Sequence, residues 1–271
     1  MTPHIDRDTS LCISLAERPS NHGVRFHNWL YNELGLNYIY KAIAPEDITA
    51  AIAGIRGLGI RGAGVSMPYK QEVIPLIDEL DPSAARINAV NTIVNNDGEL
   101  TGYNTDLLAV SSLLKSHAVS PDLSVAVRGS GGMAHAVVAA LAEHGLRGTV
   151  VARNHVTGTS LAKAHEWEYS TLVPEGTQFL VNVTPLGMYG PDEDVQAFSD
   201  EEIAAAQIVM DAVAYPVETP LIRAARAAGT ETITGQEIIA LQAAEQFVLY
   251  TGVRPSEEDI RRAEDYASAE H

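Results

Sequence analysis

Cysteine is almost absent from this sequence: Cys12 is the only one in 271 residues. No intrachain disulfide can form, and neither a cysteine-rich zinc site nor a disulfide scaffold is possible, so a reducing compartment is the simplest expectation. Basic residues are scarce as well, 18 Lys and Arg against 35 Asp and Glu, for a formal net charge of −17. Proteins that hold phosphate backbones or anionic membrane surfaces need a basic stripe. The one dense charge run here, Ser256 to Asp265, mixes both signs. Neither nucleic acid nor a membrane is therefore expected as a partner. No apolar run approaches the ~18 residues of a membrane span, and the first residues lack the basic-then-apolar layout of a signal peptide, so a cytoplasmic location is expected. The nine histidines form no His-x-x-x-His pair and no carboxylate-flanked cluster, and no metal is expected.

What is present suits a globular protein, with 46% hydrophobic and 20% charged residues and enough length for one large domain or two. Short apolar runs alternate with helical stripes. Leu11 to Leu15 reads as a buried strand; Phe26, Trp29, Leu30 and Leu34 mark a helix that Ser20 or Asn21 can cap; Tyr38 to Ile43 reads as a strand. Pro45, Glu46 and Asp47 suit the first turn of a helix carrying Ile48, Ile52 and Ile55. Gly62 to Ser66 is a small-residue strand, Met67-Pro-Tyr-Lys70 opens another helix, and Ala89 to Val94 is a strand turned back by Asn95-Asn-Asp-Gly98. After a linker-like stretch, His117 to Asp122, a strand over Leu123 to Arg128 runs into Gly129-Ser-Gly-Gly-Met-Ala134, then an apolar helix and a strand over Thr149 to Ala152. Such alternation predicts an α/β fold containing a βαβ unit.

The pattern Gly129-x-Gly131-x-x-Ala134, between a strand and a helix, is the dinucleotide fingerprint. The first glycine makes the tight turn, Gly131 lets backbone approach the pyrophosphate, Ala134 packs helix on sheet, and the helix N-terminus faces the anion. Ser130, Gly132 and Met133 share that loop. At the end of the next strand, where an acid would grip the ribose of NAD, the sequence has Ala152-Arg153-Asn154, at about the usual ~20-residue spacing. A guanidinium takes a 2′-phosphate bidentately, so NADP is the expected cofactor.

Six blocks, in order, resemble the motifs of the shikimate dehydrogenases, and of their shikimate dehydrogenase-like branch most of all. They are Val65 to Lys70, Ala89-Val-Asn-Thr92, Asn104-Thr-Asp106, Gly129-Ser-Gly-Gly132, Asn182-Val-Thr-Pro-Leu-Gly-Met188 and Gly235 to Ala243. The resemblance implies an N-terminal α/β substrate domain and a Rossmann-like dinucleotide-binding domain, with the active site in the cleft. Boundaries are expected at 1–106 plus 236–271 for the first and 107–235 for the second. It implies NADP-dependent interconversion of a ring hydroxyl and ketone of shikimate/3-dehydroshikimate or a related cyclic hydroxy acid, as in chorismate and aromatic amino acid biosynthesis.

By the same resemblance Lys70 and Asp106 work on the reacting hydroxyl. Chemistry agrees, because alcohol oxidation needs an amine or ammonium beside the oxygen that loses its proton. Asn91, an amide that both donates and accepts, Ser66, Gln242 and Asn21 are the expected substrate contacts. Thr184, Gly187, Met188 and Gly235 are expected to line the cofactor, Gly235 by letting backbone approach the nicotinamide. Departures stand out. Asn21-His-Gly23 replaces the Ser-x-Ser that holds the substrate carboxylate, Ala214 replaces a tyrosine, Gly64 replaces an asparagine, and Thr157 stands where a second basic residue often follows the arginine. Two other readings remain open, an NADP-binding sensor without turnover and a methylenetetrahydrofolate-dehydrogenase-like enzyme, although the latter wants a tyrosine where Ser66 stands. The oligomeric state, monomer or homodimer, stays open.

Overall fold

The computed structural model describes residues 5–269, which divide into two compact units. One runs up to Thr105 and resumes at Ala240; the other is Asp106–Ile239. The first unit is built on strands β1 (Ser10–Leu15), β2 (Tyr38–Ile43), β3 (Gly62–Val65), β4 (Glu79–Leu80), β5 (Thr92–Asn96) and β6 (Glu99–Tyr103). They form one mixed sheet in the order β2-β1-β3-β5-β6-β4. Between them lie α1 (His22–Glu33), α2 (Ile48–Gly57) and α3 (Pro82–Ala85).

The second unit begins with α4 (Thr105–Ser116), whose first residue still belongs to the first unit. It carries β7 (Ser124–Arg128), α5 (Gly132–Glu143), β8 (Arg147–Val151), α6 (His155–Ala164), β9 (Glu168–Ser170), β10 (Phe179–Asn182), α7 (Asp200–Ala205), β11 (Ile208–Asp211), α8 (Pro220–Ala228) and β12 (Glu231–Ile233). Helix α9 (Gly235–Thr251) leads back to the first unit, which ends with α10 (Glu257–Ser268). The six strands of the second sheet pair in parallel in the order β12-β11-β10-β7-β8-β9. Counted from β7, that is the 3-2-1-4-5-6 order of a dinucleotide-binding sheet, with its switch point between β7 and β10. No helix among the described residues is long and apolar enough to cross a membrane.

Local chemistry accounts for most element ends. Asp47 caps α2, its Oδ1 accepting from the backbone N–H of Thr49 at 2.7 Å and Ala50 at 3.0 Å, so Pro45 and Glu46 lie outside the helix rather than in its first turn. Asp97 and Gly98, at φ 54° and 96°, make the two-residue turn between β5 and β6, the aspartate-glycine pairing that matches the strands' twist. Thr219 caps α8, Pro220 occupies its first turn, and Gly229 ends it at φ 75°, the usual proline-first, glycine-last layout.

Three expectations fail locally. The side chain of Asn21 makes no capping hydrogen bond to α1. Met67 to Lys70 opens no helix: the chain makes successive turns and only a short 3-10 turn, Ile74–Leu76, because Pro75 lacks the N–H that a helix continued from Met67 would need in its interior. The strand expected from Ala89 begins at Thr92, since Asn88 takes a positive φ and the Val90 N–H is spent on the Lys70 carbonyl at 2.8 Å.

Two apolar layers cover the first sheet. On one side Phe26, Leu30 and Tyr31 of α1 pack with Phe247 and Tyr250 of α9 and with Ala263 and Ala267 of α10. On the other, Ile52 and Ile55 of α2 pack with Ile13, Val73 and Ile93. The second unit buries Ala126, Leu180 and Val209 of its strands beneath Phe198, Ile203 and Leu221.

Candidate active site and cofactor cradle

A cavity of about 710 Å³ opens at the carboxyl ends of β7, β8 and β10, the place where open parallel sheets bind ligands. Its lining includes Arg128, Gly129, Ser130, Arg153, Thr184 and Asp192. Gly129 has φ 125°, and a Cβ there would meet the Val183 Cγ2 at 2.8 Å, so glycine is required twice over. Beyond Gly131 and Gly132, by contrast, a Cβ would meet no atom within 4 Å. The chain itself leaves that space, at the start of a helix whose first N–H groups receive no side-chain cap, which is the arrangement that receives a phosphate. Ala134 is fully buried, as close helix–sheet packing requires.

Arg153 sits in the wall just beyond β8, where Asn154 caps α6 through Val156 and Thr157. Thr157, in place of a second base, is engaged by Ser130: their hydroxyls are 2.7 Å apart, tying the phosphate loop to the start of α6. The second cation of the cavity is Arg128, at the end of β7. It lies over the Phe198 ring at 4.8 Å and its buried Nε has no hydrogen-bond partner; burial lowers its pKa from the ordinary arginine range. Asp192 contributes one carboxylate to the same lining.

The far wall is held from within. Thr184 donates from its hydroxyl to Asn182 Oδ1 at 2.6 Å, Asn182 Nδ2 donates to Asp211 Oδ1 at 2.9 Å, and Thr219 donates to Asp211 Oδ2 at 2.7 Å. Burial raises the pKa of Asp211, against the hydrogen bonds it accepts from Thr219, the Val213 N–H and Asn182. Gly187, at φ 87°, lies under Thr219, and Met188 is exposed; neither lines the cavity, nor do Gly131, Gly132, Met133 and Gly235. The need for glycine at 235 comes from the chain: a Cβ there would stand 2.2 Å from the Val213 carbonyl oxygen.

In the first unit the polar residues gather around Asn91. Its Oδ1 accepts from the Thr105 N–H at 2.8 Å, the Thr105 hydroxyl at 3.1 Å and the Thr92 hydroxyl at 2.9 Å. Because a backbone N–H can only donate, this fixes the amide's orientation. The buried Nδ2 is left without a partner. The expected donor-and-acceptor amide is thus a donor alone, its acceptor already taken.

Gln242 donates to the Thr105 hydroxyl at 3.2 Å, and Gln246, one helical turn on, donates to the Asn91 carbonyl at 3.2 Å and the Thr92 hydroxyl at 3.0 Å. Gln246 and Thr105 were not among the expected site residues; the i,i+4 spacing from Gln242 was the available signal. Lys70, half-buried, follows β3 with its carbonyl bound to the residue before Asn91. Asp106, buried, is the residue after Thr105 in the first turn of α4. Ser66 and Asn21 are exposed. Among the described residues no group of three or more His, Cys, Asp or Glu is placed to hold a metal ion.

Known proteins resemble this chain over most of its length. The family model of the shikimate dehydrogenase substrate binding domain matches residues 22–93. A shikimate dehydrogenase-like protein of Haemophilus influenzae is 49% identical over 266 residues, covering 97% of this chain and 98% of the relative. A shikimate dehydrogenase (NADP(+)) of Halothermothrix orenii is 35% identical over 266 residues, covering 90% and 91%. The chain belongs to the shikimate dehydrogenase family. Among solved structures of the family, the shikimate 5-dehydrogenase of Thermus thermophilus in complex with NADP(H) and shikimate matches with a TM-score of 0.84 at 28% identity, over 95% of this chain and 99% of that one. Membership along the whole length removes the methylenetetrahydrofolate-dehydrogenase alternative.

Proposed function

We propose that this family member is an NADP-dependent oxidoreductase of the cytoplasm that interconverts a ring hydroxyl and a ketone on shikimate or a related cyclic hydroxy acid. Residues 1–106 with 236–271 bind substrate and residues 107–235 bind the cofactor. The observation that carries the reading is the cavity at the switch point, walled by Gly129, Ser130 and Arg153, with an uncapped helix N-terminus following Ser130 and no acid directly following β8. Gly129, Ser130, Gly131 and Gly132 with the start of α5 would hold the pyrophosphate. Arg153 would hold the 2′-phosphate, with Thr184 on the opposite wall.

NADP, when bound, supplies the hydride acceptor. The chain's own residues manage the proton and the orientation. Lys70 takes the hydroxyl proton and balances the charge that develops on oxygen; Asp106 accepts a hydrogen bond and keeps the lysine's proton in place. Asn91 donates from Nδ2 to a neighbouring ring hydroxyl, and Thr105, Gln242 and Gln246 hold that amide in position. Initial rates of NADPH formation over a panel of cyclic hydroxy acids test the reading. A substrate turned over by the wild type and not by Lys70→Ala is expected; NADPH formation from no member of the panel would leave a binding protein without turnover.

A further inference from the structure

Tyr40, on β2, brings its side chain into the polar group of the substrate-binding unit. Its position is read from two glycines. A Cβ built on Gly64 would stand 2.9 Å from the Tyr40 hydroxyl oxygen and 3.5 Å from Gln246 Nε2 and from Ser14 Cβ. That Gln246 nitrogen is the one bound to the Asn91 carbonyl and the Thr92 hydroxyl, so the phenol ends beside the Asn91 group. On its other side, a Cβ on Gly23 would lie 3.8 Å from the same hydroxyl and 3.6 Å from the ring. The phenol therefore fills the space between the two positions at which the family motifs carry a serine and an asparagine.

The placement is firm. The ring stacks on His27 with centroids 4.3 Å apart. The backbone is clamped by Asn28, which accepts from the Tyr40 N–H and donates to its carbonyl, each at 2.9 Å. Burial pushes the phenol well above the ordinary tyrosine range, against a hydrogen bond with the Ser14 side chain, so the group stays neutral at any physiological pH, and with the Ser14 hydroxyl donating to its oxygen it keeps its own O–H to offer. A side chain at 64 and the Tyr40 hydroxyl exclude each other, because 2.9 Å is closer than a carbon pads against oxygen, whereas residue 23 has ordinary room. A carboxylate drawn from water needs several donors, while an uncharged oxygen is satisfied by one, and a phenol offers one.

Resting on the function proposed above, we infer that Tyr40 determines specificity in this site. Its hydroxyl stands in for the side chains lost at 23 and 64 and favours, at that end of the substrate, an uncharged ester, amide or hydroxyl over a carboxylate.

Shikimate and its methyl ester, which share ring and hydroxyls and differ in charge, are the probes. In the wild type kcat/KM with NADP+ is expected to be at least as high for the ester as for the acid. Tyr40→Phe lowers the ester's value about 5–10-fold, mainly through KM, as the loss of one hydrogen bond would. Gly64→Asn alone brings shikimate no gain, but together with Tyr40→Ala and Gly23→Ser it moves the ratio toward the acid about tenfold or more. Unchanged values in Tyr40→Phe, or an equal gain from Gly64→Asn alone, overturn the inference. NADPH formation from neither ligand overturns the inference, and NADPH formation from no member of the wider panel of cyclic hydroxy acids overturns the function on which it rests.

Thermal unfolding reads the packing without any substrate. Gly64→Ala lowers Tm in the wild type and not in Tyr40→Phe, where the nearest remaining atoms are at 3.5 Å. Equal losses in both backgrounds would show that the hydroxyl does not occupy that space.

Discussion

Under the function proposed above, the cofactor-binding and substrate-binding units grip a polar small molecule in different ways. The first uses backbone: the positive φ of Gly129, the open space beside Gly131 and the uncapped start of α5. The second uses side chains brought from distant segments, with Asn91, Thr105, Gln242 and Gln246 locked to one another by hydrogen bonds. A backbone cradle depends on few residues at fixed spacing and tolerates change elsewhere. A side-chain site changes its preference whenever one of its members changes size, as at Gly23, Gly64 and Tyr40.

The contrast sharpens most at Lys70, which has no backbone substitute. Lys70→Ala is expected to lower kcat about 10²–10⁴-fold, the range for a general acid–base group, with NADP affinity nearly unchanged. Single-turnover rates and a cofactor titration separate the two effects; a parallel loss of NADP binding would mean that the lysine shapes the cofactor site instead. In the other unit the side chain expected to matter most is Arg153. Arg153→Ala is expected to weaken NADP about 10–150-fold by removing a charged hydrogen-bonding partner, and to leave NAD unchanged. Arg128 in the same lining holds the loss toward the lower end. Calorimetric titration of both cofactors checks this, and equal losses for NAD and NADP would move the 2′-phosphate away from Arg153.

Restoring the family pattern with Asn21→Ser, Gly23→Ser and Ala214→Tyr is expected to raise kcat/KM on shikimate about tenfold, the worth of one recovered hydrogen bond to a charged group. Residue 23 has the room, its Cβ lying 3.6 Å from the nearest atom. A folded variant with no gain would place the discrimination entirely at Tyr40.

The last effect expected is on stability rather than on turnover. His27 is fully buried among Tyr40, Phe247 and Tyr250, neither ring nitrogen has a hydrogen-bond partner, and burial pushes its pKa down to about 3 from 6.5. The Gln246 amide pulls weakly the other way and His22 adds to the drop. The unfolded chain binds the proton first as pH falls. The stability that neutral His27 confers is therefore complete above about 6.5 and is lost from there down toward pH 3, at about 1.4 kcal/mol per pH unit. Urea denaturation of the wild type and His27→Phe at pH 7 and pH 5 isolates this slope. Identical slopes would show that the ring charges without cost.

The same division explains what could be read in the sequence. The strand, Gly129-x-Gly131-x-x-Ala134 and the following helix are contiguous, so the cradle was legible from spacing, as were β2, α2 and the aspartate-glycine hairpin. The turns from Met67 were not, because helical spacing is silent about Pro75, which removes a donor that the helix interior would need. Nor were Gln246 and Tyr40, which meet Asn91 and Gly64 only once the sheet has formed. The packing need for glycine at 235 was not legible for the same reason, since its neighbour Val213 is remote in sequence. The amide of Asn91 looked bifunctional until Thr105 was seen to occupy its oxygen.

The central claim, that this chain transfers hydride between NADP and a cyclic hydroxy acid, is tested most directly by kcat/KM on shikimate measured with NADP+ and NAD+ side by side. The account expects turnover with NADP+ and a preference over NAD+ of about tenfold or more, the lower bound set by one guanidinium on the 2′-phosphate. Equal values with the two cofactors, or turnover with neither on shikimate and on every other member of the cyclic hydroxy acid panel, would contradict it.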